Sequence, residues 1–255
     1  MHARLIQWSI FISLFFVISL SSAYAAEGFL QNKEYKFCMQ LTRTNPEQAF
    51  EKALQWQDLG GGPASRHCMA VALFELGHYP EAALRLEELA TQMPDDTPAG
   101  VVADILGHAG FSWLSAGENS KAYAVLSSAL KLSPKNPNIR TDRATILFDA
   151  GKYQESIDDL SAALEVLPDQ PDILVLRASA YRQVDKFDMA LKDLDAALYL
   201  DPENPEGLLE RGMIYRLTGK EDIARADWLK LIELHDGRPA AESARRNIEL
   251  LDLKK

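Results

Sequence analysis

A single period constrains this chain more than any other feature. Pro134, Pro168 and Pro202 stand 34 residues apart, and Gly117, Gly151, Asp185 and Gly219 keep the same step. Three more columns follow it: Gly110, Ala144, Ala178 and Gly212; Trp113, Leu147, Tyr181 and Tyr215; Ala122, Ser156, Ala190 and Ala224. A fixed period of this length marks stacked supersecondary units, each burying its apolar face only against its neighbours.

Every column has a mechanical reason. In the unit 171–204, Leu174, Ala178 and Tyr181 form an i, i+4, i+7 stripe, and Ala190, Leu194 and Ala197 form another, so the pattern predicts two amphipathic helices per unit. Ala178 and Ala190 are small where the two helices must approach, while Tyr181 and Leu194 fill the space around them. Gly117, Gly151 and Gly219 fall where the first helix ends, because glycine takes the left-handed conformation that closes a helix C-terminus, and Asp185 tolerates the same role. The prolines follow the second helix, which they cannot continue.

These residues, as in "LRASAYRQVDKFDMALKDLDAALYLDP", resemble the tetratricopeptide repeat. The resemblance runs over five units, 63–96, 103–136, 137–170, 171–204 and 205–238, and implies an all-α fold, a right-handed α-solenoid of helix-turn-helix units. In the first unit Ala70, Leu73, Gly77, Tyr79, Ala82, Leu86 and Pro94 keep register, and six surplus residues, 97–102, are then expected to form a longer loop. In the last unit Asp236 stands for the terminal proline and Trp228 for a leucine. Phe37, Ala49, Ala53 and Trp56 suggest a degenerate unit within 26–62, closed by Gly60-Gly61-Gly62. Over 239–255, Ala241, Ala244, Ile248 and Leu251 line one side and Glu242, Arg245, Arg246 and Glu249 the other. This predicts the capping helix that a solenoid end requires.

Residues 1–25 read as a secretory signal. Arg4 precedes an apolar stretch from Ile10 to Leu20, then small residues ending in Ala23-Tyr24-Ala25, so cleavage is expected after Ala25. Leu5 to Leu20 falls short of the ~20 residues a bilayer-spanning helix needs. The mature chain is therefore expected in the periplasm or secreted, without stable membrane insertion. The sequence has no N-x-[ST] sequon, which favours a bacterial periplasm. In an oxidising compartment the two cysteines, Cys38 and Cys68, are expected to pair. Both fall in first helices of successive units, which pack side by side in the resembled family.

A formal charge of -10, with acidic and basic residues interleaved, excludes nucleic acid and anionic surfaces as expected partners. The sequence has no G-x-S-x-G, no H-E-x-x-H and no glycine-rich phosphate loop, so neither enzyme activity nor a cofactor is expected. His67, His78, His108 and His235 are scattered, and no metal site is assigned to them. Arg143, Arg177 and Arg211 each precede an aspartate by sixteen residues, Asp159, Asp193 and Asp227. These are expected to pair between packed helices rather than to form an anion-binding stripe.

The function that the resemblance implies is the binding of another protein or a peptide segment along the concave, first-helix surface. Where Leu106, Gly110 and Trp113 pack, Gly107, Phe111 and Leu114 are left on the inward strip. The equivalent positions elsewhere are Val71 and Phe74, Thr145 and Phe148, Ser179 and Arg182, and Met213 and Arg216. The expected partner-binding residues are therefore Phe74, Phe111, Leu114, Phe148, Arg182 and Arg216, a strip suited to an apolar segment that carries a carboxylate. Two other readings stay open: an assembly factor for an envelope complex serving the cell wall, secretion or cytochrome maturation, and, more remotely, a hydrolase with an unrecognised site.

Overall fold

The computed structural model describes residues 32–253, and the signal segment with its cleavage point lies outside them. Among the described residues the chain is all-α, without a strand. Two helices, α1 (Lys33–Thr44) and α2 (Pro46–Asp58), precede the regular units. The units follow as α3 (Gly62–Glu75) and α4 (Tyr79–Thr91), α5 (Ala99–Ser115) and α6 (Asn119–Leu132), and α7 (Pro137–Asp149) and α8 (Tyr153–Val166). Then come α9 (Pro171–Gln183) and α10 (Phe187–Leu200), α11 (Pro205–Leu217) and α12 (Glu221–Leu234), and finally α13 (Pro239–Asp252). Each helix packs on the next in sequence, and first helices of successive units also touch, α3 and α5 through the His67–His108 and Phe74–Phe111 side chains, which makes a solenoid.

The periodic residues do what their positions require. Gly77, Gly117, Gly151 and Gly219 take φ between +74° and +81°, and Asp185 takes +58°. That turn lets the next amide reach back five residues, as from Glu118 to Trp113, Lys152 to Leu147 and Lys186 to Tyr181, at 2.8–2.9 Å. The first helices α3, α7, α9 and α11 carry proline in the first helical turn, and the Asn136 and Asn204 side chains accept from the amides of Ile139 and Gly207.

Two local features differ from the sequence expectation, and a third, at the last unit, fills in what the sequence left open. The surplus residues 97–102 do not form a loop, because α5 begins at Ala99 and is 17 residues long. Pro98 ends the link, the alanine and valines after it continue a helix, and Val101 gains cover against Leu86, Leu89 and Ile105. In α1, Phe37 points outward at 53% exposure; Tyr35, Cys38 and Thr42 bury instead. The 100° step between adjacent helical residues turns Phe37 away once the Cys38–Cys68 disulfide holds α1 against α3 with a Cα separation of 6.2 Å. In the last unit Trp228 is wholly buried, because Gly212 opens a slot where a Cβ would lie 2.3 Å from the indole nitrogen. The cap packs Ala240, Ala244 and Leu251 onto Leu208, Trp228 and Leu231, and Arg245 pairs with Asp236 where the other units have proline.

Candidate functional site

The stacked first helices α3, α5, α7, α9 and α11 build one continuous face. At its N-terminal end lies a polar thread. His67 is buried, and its Nδ1 meets the Tyr35 hydroxyl at 2.9 Å. Its Nε2 meets His108 Nδ1 at 2.9 Å, and the two imidazoles stack with centroids 5.1 Å apart. One proton on His67 serves both bonds, donated to one neighbour while the ring accepts from the other. Burial, reinforced by the nearby His108, holds His67 down at about 3, so it stays neutral. Burial, with Asp104 adding to it, pushes Tyr35 up to about 12. Asp104 in turn accepts from Asn136 Nδ2 at 2.8 Å, so the thread carries its polar groups from α1 across to the start of α7. Protein surrounds His108 on most sides, yet its side chain remains exposed, which is the signature of a residue on a concave surface.

The apolar strip follows. Phe111 is 42% exposed, and Phe74, Leu114 and Phe148 are half-buried. Phe74 lies between Tyr79 and Phe111, with centroids at 5.1 Å and 5.3 Å, so the structure brings Phe74 and Phe111 together. Phe148 meets Tyr153 edge-on at 5.3 Å instead. The two arginines of the strip differ. Arg182 donates through Nε and Nη2 to the Glu210 carboxylate at 2.7 Å and 3.3 Å and is thereby occupied. Arg216 keeps a buried Nε without a partner.

One residue lies outside the strip read from the sequence, in the repeat column of His108 and Glu210, both of which meet the neighbouring first helix. Asp142 on α7 is half-buried, and burial alone pushes its carboxyl up to about 7, with no neighbouring charge or hydrogen bond offsetting that. The arginine ladder lies apart from this face and is structural. Arg177 donates through Nε and Nη2 to Asp193 at 2.7 Å and 2.8 Å, and its Nη1 reaches Ser161 on the preceding helix at 3.2 Å. Arg143 and Arg211 repeat the fork with Asp159 and Asp227. Among the described residues no group of three or more His, Cys, Asp or Glu could hold a metal ion, and no helix is long and apolar enough to cross a membrane.

A repeat solenoid with one long, partly apolar face defines a class of protein, the interaction scaffold. Family comparison agrees with the geometry. Two family models described as tetratricopeptide repeat match residues 111–180 and 175–244, which together span more than half of the chain. The chain belongs to the tetratricopeptide-repeat family. No curated protein sequence matches it. Among solved structures it is similar to Pseudomonas aeruginosa PilF, with a TM-score of 0.69 at 16% identity, over 85% of this chain and 99% of that one. It is similar to MamA residues 41-end from Desulfovibrio magneticus RS-1, with a TM-score of 0.61 at 19% identity, over 70% of this chain and 97% of that one. It is also similar to the Cut9–Hcn1 hetero-tetramer of the APC/C, with a TM-score of 0.65 at 14% identity, over 88% of this chain and 48% of that one. These likenesses show the fold.

Proposed function

We propose that this chain is a non-enzymatic scaffold that binds a segment of another protein along its first-helix face, in the periplasm. The observation that carries the reading is the run of Phe74, Phe111, Leu114 and Phe148 along that face, with Phe111 open to solvent beside a half-covered Phe74. Exposed aromatic surface in a concavity is what an extended or helical peptide buries on docking. The Cut9–Hcn1 hetero-tetramer, a similar fold, is itself an assembly of different chains. The expected export and the Cys38–Cys68 disulfide favour an oxidising compartment.

The test places a photo-crosslinking amino acid at Phe111 in the intact cell and, as a control, at Leu132, which is exposed on the second helix of the same unit. A discrete adduct from position 111 that is absent from position 132 is the expected result. Equal adducts from both positions move the site off this face. Phe111→Ala should weaken capture of the trapped protein by more than about 1 kcal/mol with an unchanged melting temperature. Arg182→Glu is a poorer probe, because it sets two carboxylates against each other where Arg182 now meets Glu210. Fractionation, with N-terminal sequencing, tests the compartment: a periplasmic chain beginning at Ala26 is expected, and an unprocessed cytoplasmic chain overturns that part.

A further inference from the structure

We infer that Asp142 sets the specificity of the first-helix face, and that the segment docking there carries a lysine or arginine beside an apolar side chain. The inference rests on the proposed binding face and names the chemistry of its partner. Asp142 occupies, in α7, the repeat position that His108 holds in α5, Leu176 in α9 and Glu210 in α11. His108 is answered by His67, and Glu210 is answered by Arg182. Leu176 packs partly buried against the core. Asp142 alone of the four is polar and unanswered: no hydrogen bond or nearby charge acts on its carboxyl. The two arginines of its own helix are committed elsewhere, since Arg140 and Arg143 both donate to Asp159.

A carboxyl drawn half out of water, without a partner, carries a desolvation cost that an incoming cation offsets. Burial pushes the carboxyl up to about 7, which is the same cost seen as an affinity for a proton. The apolar half of the recognition lies alongside. Phe148 is six residues further along α7, and Phe111 and Leu114 belong to the preceding unit. Charge favours the same partner, because the chain is at -10 and Arg182 is neutralised on this face by Glu210. A segment carrying a carboxylate, the expectation from Arg182 and Arg216 in sequence, would meet Asp142 as a like charge and find Arg182 taken, which leaves Arg216, two units further along, as its cation.

The experiment uses the full mature chain and three fluorescent peptide pools of about nine residues, each with fixed leucine and phenylalanine positions. The pools differ at one site, which is lysine, glutamine or glutamate. Polarisation is read at about pH 8, where Asp142 is ionised more than half of the time. The lysine pool is expected to bind about tenfold tighter than the glutamate pool, and Asp142→Asn is expected to erase that preference while the glutamine pool is unaffected. Asp142→Lys should reverse the order, which a misfolded variant could not do. If Asp142→Asn keeps the lysine preference, or if the pools bind wild type equally but lose affinity in Phe111→Ala, the inference fails and the face survives. If no pool responds to Phe111→Ala, the binding face itself is wrong and the inference falls with it.

Discussion

At the residue scale, the chain solves one packing problem in two ways. Ala178 and Leu194, and Ala144 and Leu160, sixteen residues apart like Gly212 and Trp228, combine small with large in one buried core. In the last unit the pair becomes Gly212 and Trp228: the larger side chain is admitted by removing the methyl that would lie 2.3 Å from its indole nitrogen. The indole then donates to the Leu209 carbonyl at 3.2 Å. Gly212→Ala is therefore expected to destabilise by about 2 kcal/mol through overpacking, and Trp228→Leu by a similar or larger amount through the cavity it leaves. The double substitution rebuilds the alanine–leucine pair of the neighbouring units, so its cost should fall well below the sum of the two. Urea unfolding of all four proteins gives the coupling energy, and additive costs would show that the two sites do not share this slot.

At the scale of the helix, the arginine ladder explains how one unit is fastened to the next. Arg177 lies on α9, forks onto Asp193 of α10 and reaches Ser161 of α8, so one guanidinium ties three helices across a unit boundary. The proton affinity of Arg177 is raised, first by the bond to Asp193, against a desolvation cost. Arg177→Ala leaves a buried carboxylate unanswered and should cost about 3 kcal/mol, while Arg177→Lys should recover less than half, because one ammonium cannot reproduce the fork. An unchanged melting temperature in Arg177→Ala would refute the ladder as a fastening. This ladder was legible in the sequence because it obeys the 34-residue step, as do the turns, the small residues and the prolines. The Tyr35–His67–His108 thread was not. The extra residues after the first unit place His108 41 positions beyond His67, so no periodic column connects them. Nor does periodicity say which polar positions find partners: Glu210 and Asp142 share a column, and only the folded neighbours show that Arg182 answers one and nothing answers the other. The outward turn of Phe37 escaped for a related reason, since one step around α1 decides between Phe37 and Cys38, and the disulfide makes that choice.

At the scale of the whole molecule, buried His67 and half-buried Asp142 act on stability with opposite signs. His67 has its proton affinity lowered to about 3 by burial, so the unfolded chain binds the proton more readily. Its contribution is fully present above about 6.5 and is lost as pH falls from there toward 3. Asp142 is raised to about 7 from 3.8, so the folded chain holds the proton more tightly. Its contribution is fully present below about 3.8 and is lost as pH rises through 7. Between about 4 and 6.5 the two slopes oppose, each at most about 1.4 kcal/mol per pH unit, and the intact protein should show a shallower dependence than either group would give alone. Difference curves separate them. Asp142→Asn minus wild type should be near zero at about pH 4 and grow to roughly 1–2 kcal/mol in favour of asparagine by pH 8, a figure reduced for the part of the carboxyl that water reaches. His67→Gln minus wild type should move the other way, with the variant losing least, relative to wild type, at acidic pH. Urea midpoints at several pH values between 4 and 8 supply both curves. A flat Asp142→Asn difference would mean that the carboxyl is as well solvated in the folded solenoid as in the unfolded chain.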